Sequence, residues 1–327
     1  MSDFAEKKVL VTGAAGFVGS HLVDALLDAG ATVLGIDNFL TGREENLESA
    51  RQHDQFSFID ADVLAPPQTF VPDDFVPDFV FHLASPASPP QYQANPVETY
   101  LVNSLSTHQL LSWLLVLQQT SAVTPRFIFA STSEVYGDPL EHPQTETYWG
   151  NVNPNGIRSC YDESKRMGET ICGVFSREFE LDVRIARIFN TYGPRMNPTD
   201  GRIIPNLLAQ ARAGEPYTIY GDGSQTRSYC YVSDLIAGFL ALATTPEANG
   251  ETVNLGNPEE LTIVDTAKIV HRLVCGESKQ FQQKNLPLPG DDPTRRCPDI
   301  SKAKALLGWQ PSISFAVGIA EIIHELQ

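Results

Sequence analysis

Residues 8–12, KVLVT, form a short apolar run ending at Gly13, the pattern of a strand buried on both faces. Behind it Phe17, Val18, Leu22, Ala25 and Leu26 recur at helical spacing and Gly30 stops the repeat, which predicts an amphipathic helix. Apolar runs return at TVLGID (32–37), FSFIDADV (56–63), DFVFHLA (78–84), RFIFAS (126–131) and DVRIARI (182–188). Helical stretches such as TYLVNSLSTHQLLSWLLVLQQ (99–119) and YDESKRMGETICGVFSREF (161–179) lie between them. Strand alternating with helix implies right-handed crossovers and a parallel sheet covered on both faces, so the predicted fold is a doubly wound α/β (Rossmann) sheet.

After residue 188 the rhythm changes. FNTYGPRMNPTDGR, YGDGSQTR, NLGNPEE and LPLPGDDPTRRCPD are rich in Gly, Pro, Asn and Arg, and long ordered loops commonly carry function. The expected organisation is a dinucleotide-binding domain over 1–188, with elements near 225–256 returning to it, and a smaller α/β substrate-binding lobe over most of 189–327.

A formal net charge of −17 argues against a nucleic-acid surface, which needs concentrated Lys and Arg. It makes single arginines near a pocket informative, because an anionic ligand needs local positive charge against the global field. The five cysteines form no C-x-x-C pair and the seven histidines no paired ligand spacing, so neither a metal site nor a disulfide framework is expected. No stretch is long and apolar enough to span a bilayer, and MSDFAEKKVLVTG runs straight into the first strand; the expectation is a cytoplasmic protein with no membrane partner.

Gly13, Gly16 and Gly19, in TGAAGFVG, fall between strand and helix. That junction needs a tight turn, a bare backbone against a pyrophosphate, and a helix N-terminus whose open N–H groups receive negative charge. Asp37 ends the second run, where a carboxylate accepts ribose hydroxyls and repels a 2′-phosphate, favouring NAD over NADP. Asp62 follows the third run and is placed to face the adenine. Ala15, Phe17 and Val18 in the turn, Asn38 beside Asp37, Val63 beside Asp62, and Leu83 and Ala84 after the fourth run complete the expected cofactor set.

Tyr161 and Lys165, in YDESK, lie four apart on one helix face. A neighbouring ammonium favours the phenolate, so the spacing predicts a tyrosine lowered toward neutrality for acid/base work. With the glycine turn upstream and the strand-end hydroxyls of STSEVYGDP between them, the sequence resembles the extended short-chain dehydrogenase/reductase family of nucleotide-sugar enzymes. HLASPASPP, HPQTETYWGNVNP, CYDESKR, ARIFNTYGPRM, YGDGSQTR, NLGNPEE and DDPTRRCPDI extend the resemblance over almost the whole chain. They narrow it to the family's UDP-glucuronate decarboxylases.

The resemblance implies oxidation at C4 by tightly held NAD, loss of CO2 from the resulting β-keto acid, and re-reduction to UDP-xylose. It places the active-site hydroxyl at Thr132, the acid/base at Tyr161 and its supporting lysine at Lys165. Relatives that dehydrate carry Asp then Glu after the threonine; Ser133 then Glu134 is the decarboxylase pattern, and an Asp there would repel a substrate carboxylate. Glu134 is expected in acid/base or positioning work near C5, and Arg227 near the carboxylate. Asn190 is expected to reach the diphosphate or sugar, Asn206 and Tyr220 to lie along the UDP, Arg296 to pair with the diphosphate with Arg195 as a further candidate, and Ser85 and Pro86 to lie around the sugar. One departure is Leu101, where the family leads us to expect lysine. The resemblance also implies a homodimer, with the helix around Trp113 contributing to its interface.

Overall fold

The computed structural model describes residues 2–288 and 295–325. Chain order begins with β1 (Lys8–Thr12), α1 (Phe17–Asp28), β2 (Thr32–Asp37), β3 (Phe56–Asp60) and β4 (Phe79–His82). Helices α2 (Pro89–Ala94) and α3 (Pro96–Thr120) lead to β5 (Arg126–Thr132), α4 (Ser159–Phe179) and β6 (Asp182–Ile188). There follow β7 (Thr191–Tyr192), α5 (Ile203–Ala213), β8 (Tyr217–Tyr220), β9 (Thr226–Ser228), β10 (Cys230–Tyr231), α6 (Val232–Thr244), β11 (Thr252–Leu255), β12 (Glu260–Thr262) and α7 (Ile263–Cys275). The last are β13 (Gln283–Leu286), β14 (Arg295–Arg296), α8 (Ser301–Leu307) and α9 (Phe315–Glu325).

The apolar runs become one seven-stranded sheet in the order β11-β6-β5-β4-β1-β2-β3, parallel throughout. Both faces are covered. On one, Leu22, Val23 and Leu26 of α1 and Leu235, Phe239 and Leu242 of α6 pack against Val9, Val11 and Phe81. On the other, Leu110, Leu111 and Leu114 of α3 and Cys172 and Phe175 of α4 pack against Leu10, Val80, Phe127 and Phe129. A sheet that is buried on both faces needs apolar side chains at consecutive positions, which is why its strands read as unbroken runs.

The second half alternates between two cores. Strand β11 pairs with β6, and α6 packs on the sheet; Ile300, Ala303 and Trp309 join the same core, a further return beyond the span suggested by the loop pattern. The smaller lobe has its own core, in which Tyr192, Leu207, Tyr217, Ile219, Ala267, Val270 and Ile319 are buried. Its three-stranded patch, β12-β9-β14, carries arginines on two adjacent strands, with Arg296 opposite Arg227 in the register. Part of the DDPTRRCPDI string, residues 291–294, lies outside the described residues.

Candidate active site

Three adjoining cavities lie at the carboxyl ends of the central strands, two of them bordered also by the smaller lobe. One of about 240 Å3 is lined by Gly13, Gly16, Asp37, Asn38, Asp62, Val63, Leu83 and Ala84. A second, of about 130 Å3, runs along the glycine turn past Phe17, Val18 and Gly19. The third, about 820 Å3, holds Thr132, Ser133, Glu134, Tyr161 and Lys165 together with Asn190, Asn206, Tyr220, Arg227 and Arg296. Residues between 13 and 296 thus converge on one connected cleft.

The glycine turn fits a dinucleotide. Gly13 has φ of +74°, and a Cβ there would stand 2.7 Å from the Ala84 nitrogen; a Cβ on Gly19 would overlap the Gly13 carbonyl oxygen. A side chain at either position would fill the cradle. Gly16 caps α1 with no side-chain hydrogen bond, leaving the first-turn N–H groups available to an anion. Asp37 accepts from the Ala15 N–H at 3.0 Å and the Phe39 N–H at 2.8 Å, which fixes its carboxylate at the strand end with lone pairs to spare. Burial raises its pKa while those donors oppose the rise. Ala15 is buried under the turn, where its N–H holds Asp37. Asp62 is exposed, with its Oδ1 accepting from the Leu64 N–H at 2.9 Å.

Tyr161 and Lys165 stand on the first turns of α4, both buried, with Thr132 at the end of β5. Tyr161 stacks on Tyr92, with centroids 5.1 Å apart and planes 5° from parallel. The expected lowering of the phenol is not what the surroundings produce. Burial pushes the Tyr161 pKa above its ordinary value, only partly offset by a hydrogen bond with Thr132. Burial also pulls Lys165 down to about 7. The ammonium donates to the Ala130 carbonyl at 2.7 Å and lies 5.8 Å from the Tyr161 ring centroid. Desolvation of two buried groups here outweighs a charge directed at a backbone oxygen. In these surroundings the phenol stays protonated at neutral pH.

Glu134 is held by two guanidiniums. Arg296 meets it in a bidentate pair, Nη1 to Oε1 at 2.5 Å and Nη2 to Oε2 at 2.9 Å, and Arg158 Nη2 donates to Oε2 at 2.6 Å. Burial would raise this carboxyl, but Arg296 and Arg158 overcome it and hold the pKa at about 2. Two expectations change. Arg296 faces Glu134 with both terminal nitrogens, leaving only its buried Nε without a hydrogen bond. Glu134 is held as the carboxylate by its two arginines, which suits positioning or accepting a proton rather than donating one.

The remaining expected residues are spread along the cleft. Arg195 lines the cavity at the glycine turn, paired with Asp24 at 2.6 Å, and Pro86 lines the Asp37 cavity; neither borders the large one. Ser85 borders all three. Leu101 is half-buried on α3, between Glu98 and Val102, which do line the Asp37 cavity. Sequence reading missed Arg158, Arg202 and Tyr92. Arg158 lies three residues before Tyr161, a spacing that could have flagged it as sharing the helix face. Arg202 borders both the large cavity and the glycine turn, in an ion pair with Asp200 at 2.5 Å.

Comparison with known proteins agrees with this geometry. The model of the NAD dependent epimerase/dehydratase family matches residues 9–256. UDP-glucuronic acid decarboxylase 1 of Danio rerio is 47% identical over 325 residues, 99% of this chain and 73% of that protein. UDP-glucuronic acid decarboxylase 2 of Arabidopsis thaliana is 48% identical over 324 residues, 98% of this chain and 68% of that protein. Among solved structures, UDP-glucuronic acid 4-epimerase from Bacillus cereus, in complex with UDP-glucuronic acid and NAD, is 31% identical with a TM-score of 0.83, over 98% of this chain and 100% of that one.

Proposed function

The chain belongs to the NAD dependent epimerase/dehydratase family, and from that premise we propose that it is an NAD-dependent UDP-glucuronate decarboxylase forming UDP-xylose. The observation that carries the reading is the pairing, in one cavity, of the Tyr161–Thr132 hydroxyls with a sugar end lined by Arg158, Arg227 and Arg296. Such an end suits a hexuronate carboxylate and would be wasted on a neutral hexose.

When bound, NAD would supply a reversible hydride acceptor at C4, the chemistry that makes the substrate transiently a β-keto acid. Gly13, Gly16 and Gly19 would cradle its diphosphate, and Asp37 would take the adenosine ribose. Tyr161 accepts the O4 proton as the ketone forms, and the pair of Tyr161 and Thr132 donates to O4 when the C6 carboxylate leaves as CO2 and its electrons flow into an enolate. C5 then takes a proton from water, the one net proton the decarboxylation consumes, and Tyr161 gives O4 its proton back on reduction. Lys165, which lines the cavity and is anchored on the Ala130 carbonyl, supplies the positive field that eases proton loss from the phenol once the site is filled. Glu134 keeps Arg158 and Arg296 oriented toward the sugar. Asn190, Asn206 and Tyr220 would follow the UDP.

The same reading includes a homodimer. Val97, Tyr100, Leu105 and Val116 on α3, with Met167 and Val174 on α4, leave apolar side chains on the outer side of two neighbouring helices, the kind of exposed patch that marks an interface. A cytoplasmic setting is part of it too, since all five cysteines are free, as a reducing compartment keeps them.

The test is incubation of purified protein with UDP-glucuronate and trace NAD+, followed by proton NMR of the sugar region. UDP-xylose without net NADH is expected. UDP-galacturonate would move the chain to the 4-epimerases, and a 4-keto pentose with stoichiometric NADH would remove the final reduction.

A further inference from the structure

Away from the three cavities, a nitrogen, an oxygen and a sulfur donor converge. His142, Glu260 and Cys297 bring one ligand atom each within 4.8 Å of one another. His142 Nε2 and Glu260 Oε2 are 2.8 Å apart, and the Nδ1 of the same ring is buried with no partner. The three segments are tied together by backbone. The Gln144 N–H donates to the Cys297 carbonyl and the Cys297 N–H to the Gln144 side-chain oxygen, each at 2.9 Å. The Asp299 N–H returns to the Gln144 carbonyl at 2.9 Å. Glu260 sits opposite Ser228 in the ladder, and its other oxygen accepts from the Thr226 hydroxyl at 2.6 Å. Donors on restrained segments are the condition for a pre-formed metal site.

We propose that His142, Glu260 and Cys297 form a three-ligand site for a divalent cation of the zinc class. The donor set decides the metal: imidazole, carboxylate and thiolate suit a borderline-soft ion in tetrahedral geometry, with water in the fourth position, and suit calcium or magnesium poorly. Ideal zinc bond lengths put such a nitrogen and oxygen about 3.3 Å apart and nitrogen and sulfur about 3.6 Å apart. Entry of the ion therefore opens the His142–Glu260 contact by about half an ångström and draws the sulfur inward. If Nε2 binds the metal, its proton moves to Nδ1. The Cys297 thiol releases one proton to solvent and binds as thiolate, so thiolate and carboxylate together balance the ion's two charges. Cys297 directly follows Arg296, so an ion here would also stiffen the strand that carries a sugar-end arginine.

The experiment is a titration of chelator-stripped protein with Co2+ and with Zn2+, reading the thiolate-to-cobalt absorption and the thermal midpoint. About one equivalent of tetrahedral, thiolate-bound Co2+ is expected, with a midpoint that rises with Zn2+ concentration. Cys297→Ser should abolish the absorption and the midpoint shift, and Glu260→Gln, measured in parallel as a variant that keeps the thiol, should weaken binding about tenfold or more. No thiolate band at saturating Co2+ would overturn the site. A band undiminished in Cys297→Ser would also overturn it, by assigning the metal to Cys160 or Cys275, which are half-buried.

Discussion

The cleft has two ends built by different means. The cofactor end is backbone: three glycines within seven residues, an uncapped helix N-terminus, and Asp37 fixed by the N–H groups of Ala15 and Phe39. The sugar end is side-chain charge: Glu134 in the turn after β5, Arg158 at the N-cap of α4, Arg227 on β9 and Arg296 on β14, with 162 residues separating Glu134 from Arg296. Backbone shape is set by local sequence and is nearly insensitive to the rest of the molecule. A buried carboxylate between two guanidiniums depends on all three, because removing one leaves an uncompensated charge in a poorly solvating site.

Substitutions at the two ends should therefore separate cofactor affinity from turnover. The largest effect belongs to the group between them: Tyr161→Phe should lower turnover by about 1,000-fold in a single-turnover assay while NAD binding is retained. Next, Glu134→Gln should cost about 100-fold in kcat/KM for UDP-glucuronate, since an amide cannot neutralise two buried guanidiniums, with NAD affinity unchanged. If NAD affinity fell equally, the ends would not be separable. Gly19→Ala should do the converse, weakening NAD about tenfold or more in equilibrium titration, because the added methyl collides with the Gly13 carbonyl. Asp37→Asn should weaken NAD by about fivefold and narrow the preference over NADP, read from the ratio of the two affinities.

The smallest effect at neutral pH is a pair of acid-stability windows. Burial, with the Lys165 charge adding to it, holds His82 at about 3 against an ordinary 6.5, so the unfolded chain takes up its proton first. Its share of stability is whole above pH 6.5 and is lost as pH falls toward 3. Glu134, held at about 2 against 4.5, contributes fully above 4.5 and loses its share as pH falls toward 2. His82 bonds Thr12 beside the glycine turn, whereas Glu134 belongs to the sugar end, so the windows also report on different ends. Thermal midpoints against pH should show Glu134→Gln losing the lower step and keeping the upper.

By itself the sequence determined the doubly wound sheet, the glycine cradle with Asp37, and the placing of Tyr161 beside Lys165. These depend on the period of apolar residues, on a turn that excludes side chains, and on 3.6 residues per helical turn, all of which act within a few positions of the chain. Tertiary structure alone decided that Glu134 is clamped by Arg158 and Arg296, that Pro86 borders the cavity at Asp37 and that Arg195 borders the one along the glycine turn. It also decided that His142, Glu260 and Cys297 meet although no spacing links them. It reversed the expected sign at Tyr161 for the same reason. Spacing tells which groups are neighbours, but the direction of a pKa depends on how much water the fold removes from around them, and that is a property of the packed molecule.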